Sequence, residues 1–449
     1  MAKNYDLVIV GTGTAASVAA SRCRAAGWSV AVMDYLPFGG TCALRGCDPK
    51  KVLVGAADAV DHANRMRDKG VEGGQPFIAW QELIAFKRTF TDPVPPMKEK
   101  SFAKNGIHFY HGRGEFCGPR SIKIGDEILE ARFVLLAAGA VPRALGIPGE
   151  EHAITSTQFL ELDSLPERIV LIGGGYIAAE FAHTAARSGA KVTIVQRRDR
   201  LLPPFDAEVV GWLMKKFDQI GVDVRFNMKV ERIERSGDEF KVAVSSGGKN
   251  ELLSADLVVH AAGRVPDLAP LKLDVAGVDT EDGRIKLNDY LQSVSNPAVY
   301  AAGDFAQKGP PLTPVASHDA KVAAENMLHG NRRKPNYEGV PSVAFTLPPL
   351  ASVGLTEEAA RKRGLKFRMQ HQEADGWYTA QHVAETVYGF KVLVEEGSDK
   401  ILGAHLVGPS VDEVINVFAL AIRQGVTAEE LKATIFAYPT GASDISYML

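Results

Sequence analysis

The chain has 449 residues, 51 basic and 54 acidic, for a formal net charge of −3. That balance offers no footprint for nucleic acid and no polybasic patch for a membrane surface, and no apolar run reaches the roughly 18 to 20 residues that span a bilayer. The length predicts two to four domains, and four cysteines are too few for a disulfide framework, which points to a reducing, cytoplasmic compartment.

The start, "MAKNYDLVIVGTGTAA", is expected to enter a strand directly, with no leader segment. Residues 5–34 read as a buried strand, a glycine turn, an Ala-rich helix and a second strand that ends in an acid. This is a βαβ unit with a G-x-G-x-x-A turn at Gly11, Gly13 and Ala16. The glycines permit the tight turn and let a pyrophosphate approach the helix N-terminus, where unpaired N–H groups favour an anion. Asp34, about twenty residues on, is placed to accept ribose hydroxyls.

Next comes "GGTCALRGCDPKK" at 39–51, with Cys42 and Cys47 between a glycine pair and a lysine pair. The stretch reads as a loop running into a helix, and three readings are open for its thiols: buried packing groups, half of a metal site, or a redox-active dithiol. Cys23, on the first helix, and Cys117, on a strand, are solitary, so no second ligand pair completes a zinc site. Both read as inert thiols.

The stretches 133–143 and 257–267 are apolar strands ending in Ala-Gly-x-x-Pro, suited to chain crossings between domains. Between them, residues 168–198 repeat the βαβ pattern, with Gly173, Gly175 and Ala178 in the turn. Its second strand ends in Gln196, Arg197 and Arg198 rather than an acid. A carboxylate there repels a 2′-phosphate, whereas guanidiniums pair with one, so this site is expected to prefer NADP over NAD unless the arginines form only a solvated turn. Residues 297–306 deliver Asp304 at the carboxyl end of a strand, the edge that faces the ligand crevice of a doubly wound sheet. Residues 312–328 begin a helix at that edge, with Pro314 suited to an early position. From about Asn336 the pattern changes to antiparallel strands, followed by helices at 410–425 and 427–436, the second with a capping-box pattern from Thr427 to Glu430.

Taken together, "GTGTAAS", "GGTCALRGCDPKK", "GGGYIAAE", "YAAGDFA" and "PSVAFTLPPLASVGLTE" resemble the pyridine-nucleotide-disulfide oxidoreductases, with glutathione reductase, dihydrolipoamide dehydrogenase and mercuric reductase among them. The resemblance covers essentially the whole chain and implies an α/β fold. Two Rossmann-like domains are expected, one for FAD and one for NAD(P), with a C-terminal α+β dimerisation domain. The implied boundaries are 1–147 and 265–335 for the FAD domain, 148–264 for the nucleotide domain, and 336–449 for the dimerisation domain.

The resemblance assigns FAD to Gly11, Gly13, Ala16, Asp34, Gly40, Thr41, Lys50, Gly139, Asp304, Thr313 and Val315. It assigns NADPH to Gly173, Gly175, Tyr176, Ala178, Glu180, Arg197, Arg198 and Gly263. Cys42 and Cys47 are implied to form the redox-active disulfide, with Cys42 the interchange thiol that attacks substrate and Cys47 the thiolate beside the flavin. Lys50 matches the lysine near the flavin ring and Glu180 the acid paired with it, against an exposed lysine and a helix-surface glutamate. Tyr176 matches a ring that covers the flavin until nicotinamide displaces it, against a packing tyrosine. No resident metal is implied, and the active site is expected to be shared between two copies of the chain.

The sequence also departs from the family. Tyr438 stands where a His, given by the partner subunit, serves as acid–base for the interchange thiol, and Ser443 stands where its paired Glu would be. An unperturbed tyrosine, with a pKa near 10, donates a proton but is a poor base at neutral pH. Mercuric reductases also carry a tyrosine in this region, but they deliver metal through a C-terminal cysteine pair, and this chain has no cysteine after Cys117. Arg45 and Asp48 replace small apolar residues around Cys47: Asp48 disfavours a neighbouring thiolate and Arg45 favours one. His318 is either structural or a substitute proton donor; His371, His382 and His405 read as surface or packing residues. The expectation is an FAD-dependent, NADPH-preferring enzyme acting on a small disulfide or related sulfur substrate. The alternatives are a metal-ion or quinone reductase with the same electron path, and a flavoprotein redox sensor.

Overall fold

The computed structural model describes residues 2–449. The chain divides into two compact units. The first holds the segment up to Lys50 with Phe86–Arg143 and Arg264–Tyr337; the second holds Lys51–Ala85, Ala144–Gly263 and Glu338–Leu449.

The first unit is built on a seven-stranded sheet. His108–His111, Val30–Asp34, Lys3–Val10, Glu127–Leu136 and Val299–Ala301 run parallel in that order, and a hairpin of Gly114–Gly118 and Ser121–Ile124 pairs antiparallel with the start of the fourth strand. The central strand is apolar on both sides because both of its faces are covered. Val8 and Val10 point into a core with Leu271, Leu273 and Phe305, while Leu7 and Ile9 point into one with Ala16, Ala19 and Ala20. Those alanines lie on helix Thr14–Ala25, which packs against helix Thr313–His329, itself presenting Ala320, Ala323 and Ala324 to the same core. Small side chains on both helices allow the close approach.

The second unit contains a five-stranded parallel sheet in the order Asp223–Arg225, Lys191–Val195, Arg168–Ile172, Leu257–His260, Ile154–Thr155. An antiparallel meander of Lys229–Ser236, Glu239–Ser246 and Lys249–Ala255 accompanies it. The C-terminal region forms a five-stranded antiparallel sheet, Ser342–Ala344, Leu350–Gly354, Ile401–Val407, Gly389–Glu395, Phe367–Glu373. Helix Val411–Gln424 packs on it through Val411, Val414, Ile415 and Phe418, a helical stripe of buried residues. One apolar core runs from Leu53 and Trp80 through Phe159 and Phe181 to Trp212, Leu350 and Val407.

Two local details differ from the sequence reading. The helix expected at 427–436 stops at Lys432. Its capping box between Thr427 and Glu430 is present, but Thr434 turns its hydroxyl back onto the Glu430 carbonyl, a local bond that competes with continued helix. The junction holding the cysteines is two helices rather than a loop and a helix: Gly40–Arg45 and Cys47–Arg65, parted at Gly46. A Cβ at Gly46 would sit 2.8 Å from the Thr41 carbonyl oxygen, so only glycine fits the break. Among the described residues no helix is long and apolar enough to cross a membrane.

Candidate active site

The break at Gly46 brings the two thiols together. Cys42 sits on the short helix and Cys47 opens the long one. Both are free thiols, and their side chains hydrogen-bond each other. That bond divides them. Cys42, bonded to Cys47, partly buried and beside the Asp48 carboxylate, is pushed well above the ordinary thiol range. Cys47 receives the bond, lies 3.5 Å from the Thr313 hydroxyl and feels the Lys50 ammonium, and is pulled down to about 6 despite burial. A thiol at the first position of a helix gains further from the unpaired N–H groups there.

The charged residues flanking Cys47 part company. Asp48 faces the dithiol, with Cys42 Sγ 3.9 Å from Asp48 Oδ1. Arg45 does not reach the thiols; its guanidinium is partly buried beside Asp34 and Tyr35.

In the same unit the first glycine turn is closed by backbone. Gly11 has φ +114°, and a Cβ on it would lie 2.3 Å from the Ala137 carbonyl oxygen; a Cβ on Gly40 would lie 2.4 Å from Gly13 Cα. Helix Thr14–Ala25 starts behind this turn with no side-chain cap and no acid in its first turn. Asp34 ends the second strand, where its carboxylate takes the backbone N–H and hydroxyl of Thr12 and the N–H of Leu36. Thr12, fully buried, also accepts from the Gly39 N–H. The sequence reading passed over Thr12, although its place between the two turn glycines was the available signal. Asp304 follows strand Val299–Ala301; burial raises its carboxyl and Arg264 pulls it back. Arg264 also donates to the Ala140 carbonyl, beside Gly139, where the two crossing segments pair as Val141–Pro142 and Arg264–Val265. Ala16 and Val315 are buried in helix faces, and Thr41 lies on the short helix. His318 accepts the Asn336 N–H and meets the Tyr337 ring edge-on.

The second unit repeats the turn. Gly173 has φ +115°, and a Cβ there would lie 2.4 Å from the Ala261 carbonyl oxygen. Helix Tyr176–Arg187 begins uncapped at Gly175. Gln196 is buried, donating to the Arg200 carbonyl and packing on Gly174, so it is part of the turn's frame. Arg197 and Arg198 are exposed and carry no ion-pair partner among the described residues. Buried Glu180 accepts the Phe345 N–H at 2.9 Å. Tyr176 bonds to Ser342 and packs against Phe205, Ala178 is fully buried, and Gly263 has φ +105° at the crossing. Tyr438 is 81% exposed, and the Ser443 hydroxyl is spent on the Thr440 carbonyl.

Residues 5–320 match the family described as pyridine nucleotide-disulphide oxidoreductase, and residues 340–448 match its dimerisation domain. The chain belongs to this family. Members of the family depend on FAD and use a pyridine nucleotide. Similar proteins include a mercuric reductase of Bacillus cereus, 32% identical over 98% of this chain and 70% of the relative. A glutathione reductase of Burkholderia cepacia is 31% identical over 98% and 97%. Among solved structures, the Cu(II) complex of the HOCl-induced flavoprotein disulfide reductase RclA from Escherichia coli matches with TM-score 0.89 and 26% identity, covering 99% of each chain. A Cβ at Gly11 or Gly40 would strike neighbouring backbone, so the turn stays bare glycine ahead of a helix with no side-chain cap, a frame that suits a pyrophosphate.

Proposed function

We propose that this oxidoreductase is an NADPH-preferring reductase that uses the Cys42–Cys47 pair to reduce a small disulfide or related sulfur substrate. The observation that carries it is the thiol pair brought together across the Gly46 break, with the Thr313 hydroxyl 3.5 Å from Cys47 Sγ and Lys50 beside it. FAD, when bound, supplies a two-electron relay between nicotinamide and dithiol. The Gly11–Gly13 turn, Asp34 and the Gly39–Gly40 segment would hold it, and the Gly173–Gly175 turn would hold the nicotinamide nucleotide. Cys42 is the thiol that meets substrate; Cys47 waits as the resolving thiolate, stabilised by Thr313 and Lys50. Arg197 and Arg198, exposed and unpaired, supply the pairing for a 2′-phosphate.

The C-terminal segment exposes Leu420, Ile435, Tyr438 and Tyr447, apolar surface that fits burial in a homodimer. In that assembly Tyr438 would face the partner's dithiol as a hydrogen-bond donor, and the compartment would be the reducing cytoplasm. A second reading has its own support. Tyr438 in place of an imidazole, a mercuric reductase among the relatives and the Cu(II) complex of RclA favour a soft metal ion taken between the two thiolates.

Anaerobic titration with NADPH, followed by alkylation and mass mapping of Cys42 and Cys47, tests the electron path; both thiols become reactive as NADPH is consumed. NADPH oxidation with glutathione disulfide, cystamine, Hg(II), Cu(II) or a quinone as acceptor then separates the substrate classes. Cysteines that stay unreactive through the titration overturn the proposal.

A further inference from the structure

Asp48 is the second residue of helix Cys47–Arg65, and its carboxylate lies over the dithiol with Oδ1 3.9 Å from Cys42 Sγ. The groups acting on the pair are Asp48 and Lys50 from that helix, the two thiols themselves, and the Thr313 hydroxyl from helix Thr313–His329. Lys50 bears on Cys47, while the carboxylate sits at the thiol that meets substrate. Asp48 is exposed, so it is open to a substrate that reaches Cys42. A side chain that touches the reacting sulfur, accepts its proton and is open to solvent has the three properties of a general acid–base group.

We propose that Asp48 is the acid–base group of thiol exchange in this chain, supplied in cis beside Cys42. This rests on the dithiol-reductase reading given above. The Cys42 thiol passes its proton to the Asp48 carboxylate as the sulfur attacks a substrate disulfide R–S–S–R. A Cys42–S–R bond forms, the substrate S–S bond breaks, and the departing thiolate takes the proton from Asp48 to leave as RSH. The Cys47 thiolate then attacks the Cys42 sulfur, forming the Cys42–Cys47 disulfide and expelling the second thiolate, which is protonated by water. The two protein thiols are oxidised and the substrate disulfide is reduced. Protonation of the leaving sulfur matters most where the departing thiolate is basic, so Asp48 serves the disulfides of alkyl thiols and is dispensable for activated disulfides.

The test uses full-length protein reduced with dithiothreitol and desalted, so that it does not depend on NADPH or on the physiological acceptor. Two readouts are compared in wild type, Asp48→Asn and Asp48→Glu. The first is iodoacetamide labelling of Cys42 at pH 7, mapped by mass, with exposed Cys117 as the internal reference. The second is single-turnover exchange with cystamine and with a dipyridyl disulfide, whose leaving thiol needs no protonation. Losing the carboxylate frees the thiolate of Cys42, so labelling in Asp48→Asn rises roughly three- to tenfold. Exchange with cystamine falls by about tenfold or more, exchange with the dipyridyl disulfide holds or rises, and Asp48→Glu recovers cystamine exchange. Unchanged or slower labelling in Asp48→Asn, or equal slowing with both disulfides, overturns the assignment. Failure of the NADPH titration would instead count against the proposed function and leave these two readouts standing.

Discussion

Asp34 and Thr12 form a closed pair: one carboxylate oxygen of Asp34 accepts both the backbone N–H of Thr12 at 3.0 Å and its hydroxyl at 2.8 Å. The acid at the strand end therefore fixes the glycine turn. Hydrogen bonds to a charged group are each worth about 1.5–3 kcal/mol. Asp34→Ala is expected to lose bound FAD on dialysis, and Asp34→Asn to lose less. Flavin fluorescence released from the denatured protein measures both.

Nucleotide choice is expected to favour NADPH over NADH by about tenfold in kcat/KM, which corresponds to about 1.4 kcal/mol. Arg197→Glu should move the ratio toward NADH, since it puts a carboxylate where a 2′-phosphate would sit. Equal use of both nucleotides by the wild type would remove the role given to the arginines.

The reduced dithiol should hold its thiolate on Cys47 down to about pH 6, where the thiol is placed by its bond from Cys42. Because that pKa is lowered, the charge is present above pH 6 and lost below it. Ultraviolet thiolate absorbance of chemically reduced protein follows the titration. Thr313→Val removes the hydroxyl 3.5 Å from the sulfur and should move the midpoint upward.

Tyr438→His tests whether the chain is an ordinary disulfide reductase that lost its imidazole. With Asp48 supplying the proton and Ser443 occupied by the Thr440 carbonyl, the new histidine would have no orienting carboxylate at position 443. Turnover with glutathione disulfide near neutral pH is expected to stay flat or fall. A clear rise would return the role to position 438.

Glu385 is 4% exposed and receives the Lys216 ammonium at 2.6 Å, with Arg65 at 3.6 Å. Glu385→Ala leaves a buried lysine without its counter-ion, which typically costs about 3–5 kcal/mol. Thermal unfolding should show a fall of several degrees, larger than that from Thr427→Ala, where loss of a helix cap costs about 1 kcal/mol.

The sequence made the two glycine turns and their strands legible because both are local: period, turn residues and helix follow one another within about thirty residues. The cysteine pair was legible for the same reason. Other features depend on distant partners. Whether Asp48 or Arg45 faced the thiols was undecidable from spacing, since the answer lies in Arg45 finding Asp34 and Tyr35. Gln196 stood in the motif beside the arginines, yet it is buried against Gly174. The ionic cluster of Asp61, Arg65, Arg187, Lys216 and Glu385 had no sequence signature, because its members are spread over more than three hundred residues.

Gly11 meets the carbonyl of Ala137 just as Gly173 meets that of Ala261, at 2.3 and 2.4 Å for the missing Cβ. The chain thus owns the same latch twice, each closed by backbone against backbone. The exposed Arg197 and Arg198 can vary while the second latch keeps its shape, whereas Asp34 is tied to the first turn through Thr12. Variation at Gly11 or Gly173 has no such freedom, because any side chain there strikes a carbonyl before it reaches a ligand. Protein engineers should place their libraries at Arg197 and Arg198 and leave both latches, and the Asp34–Thr12 pair, untouched.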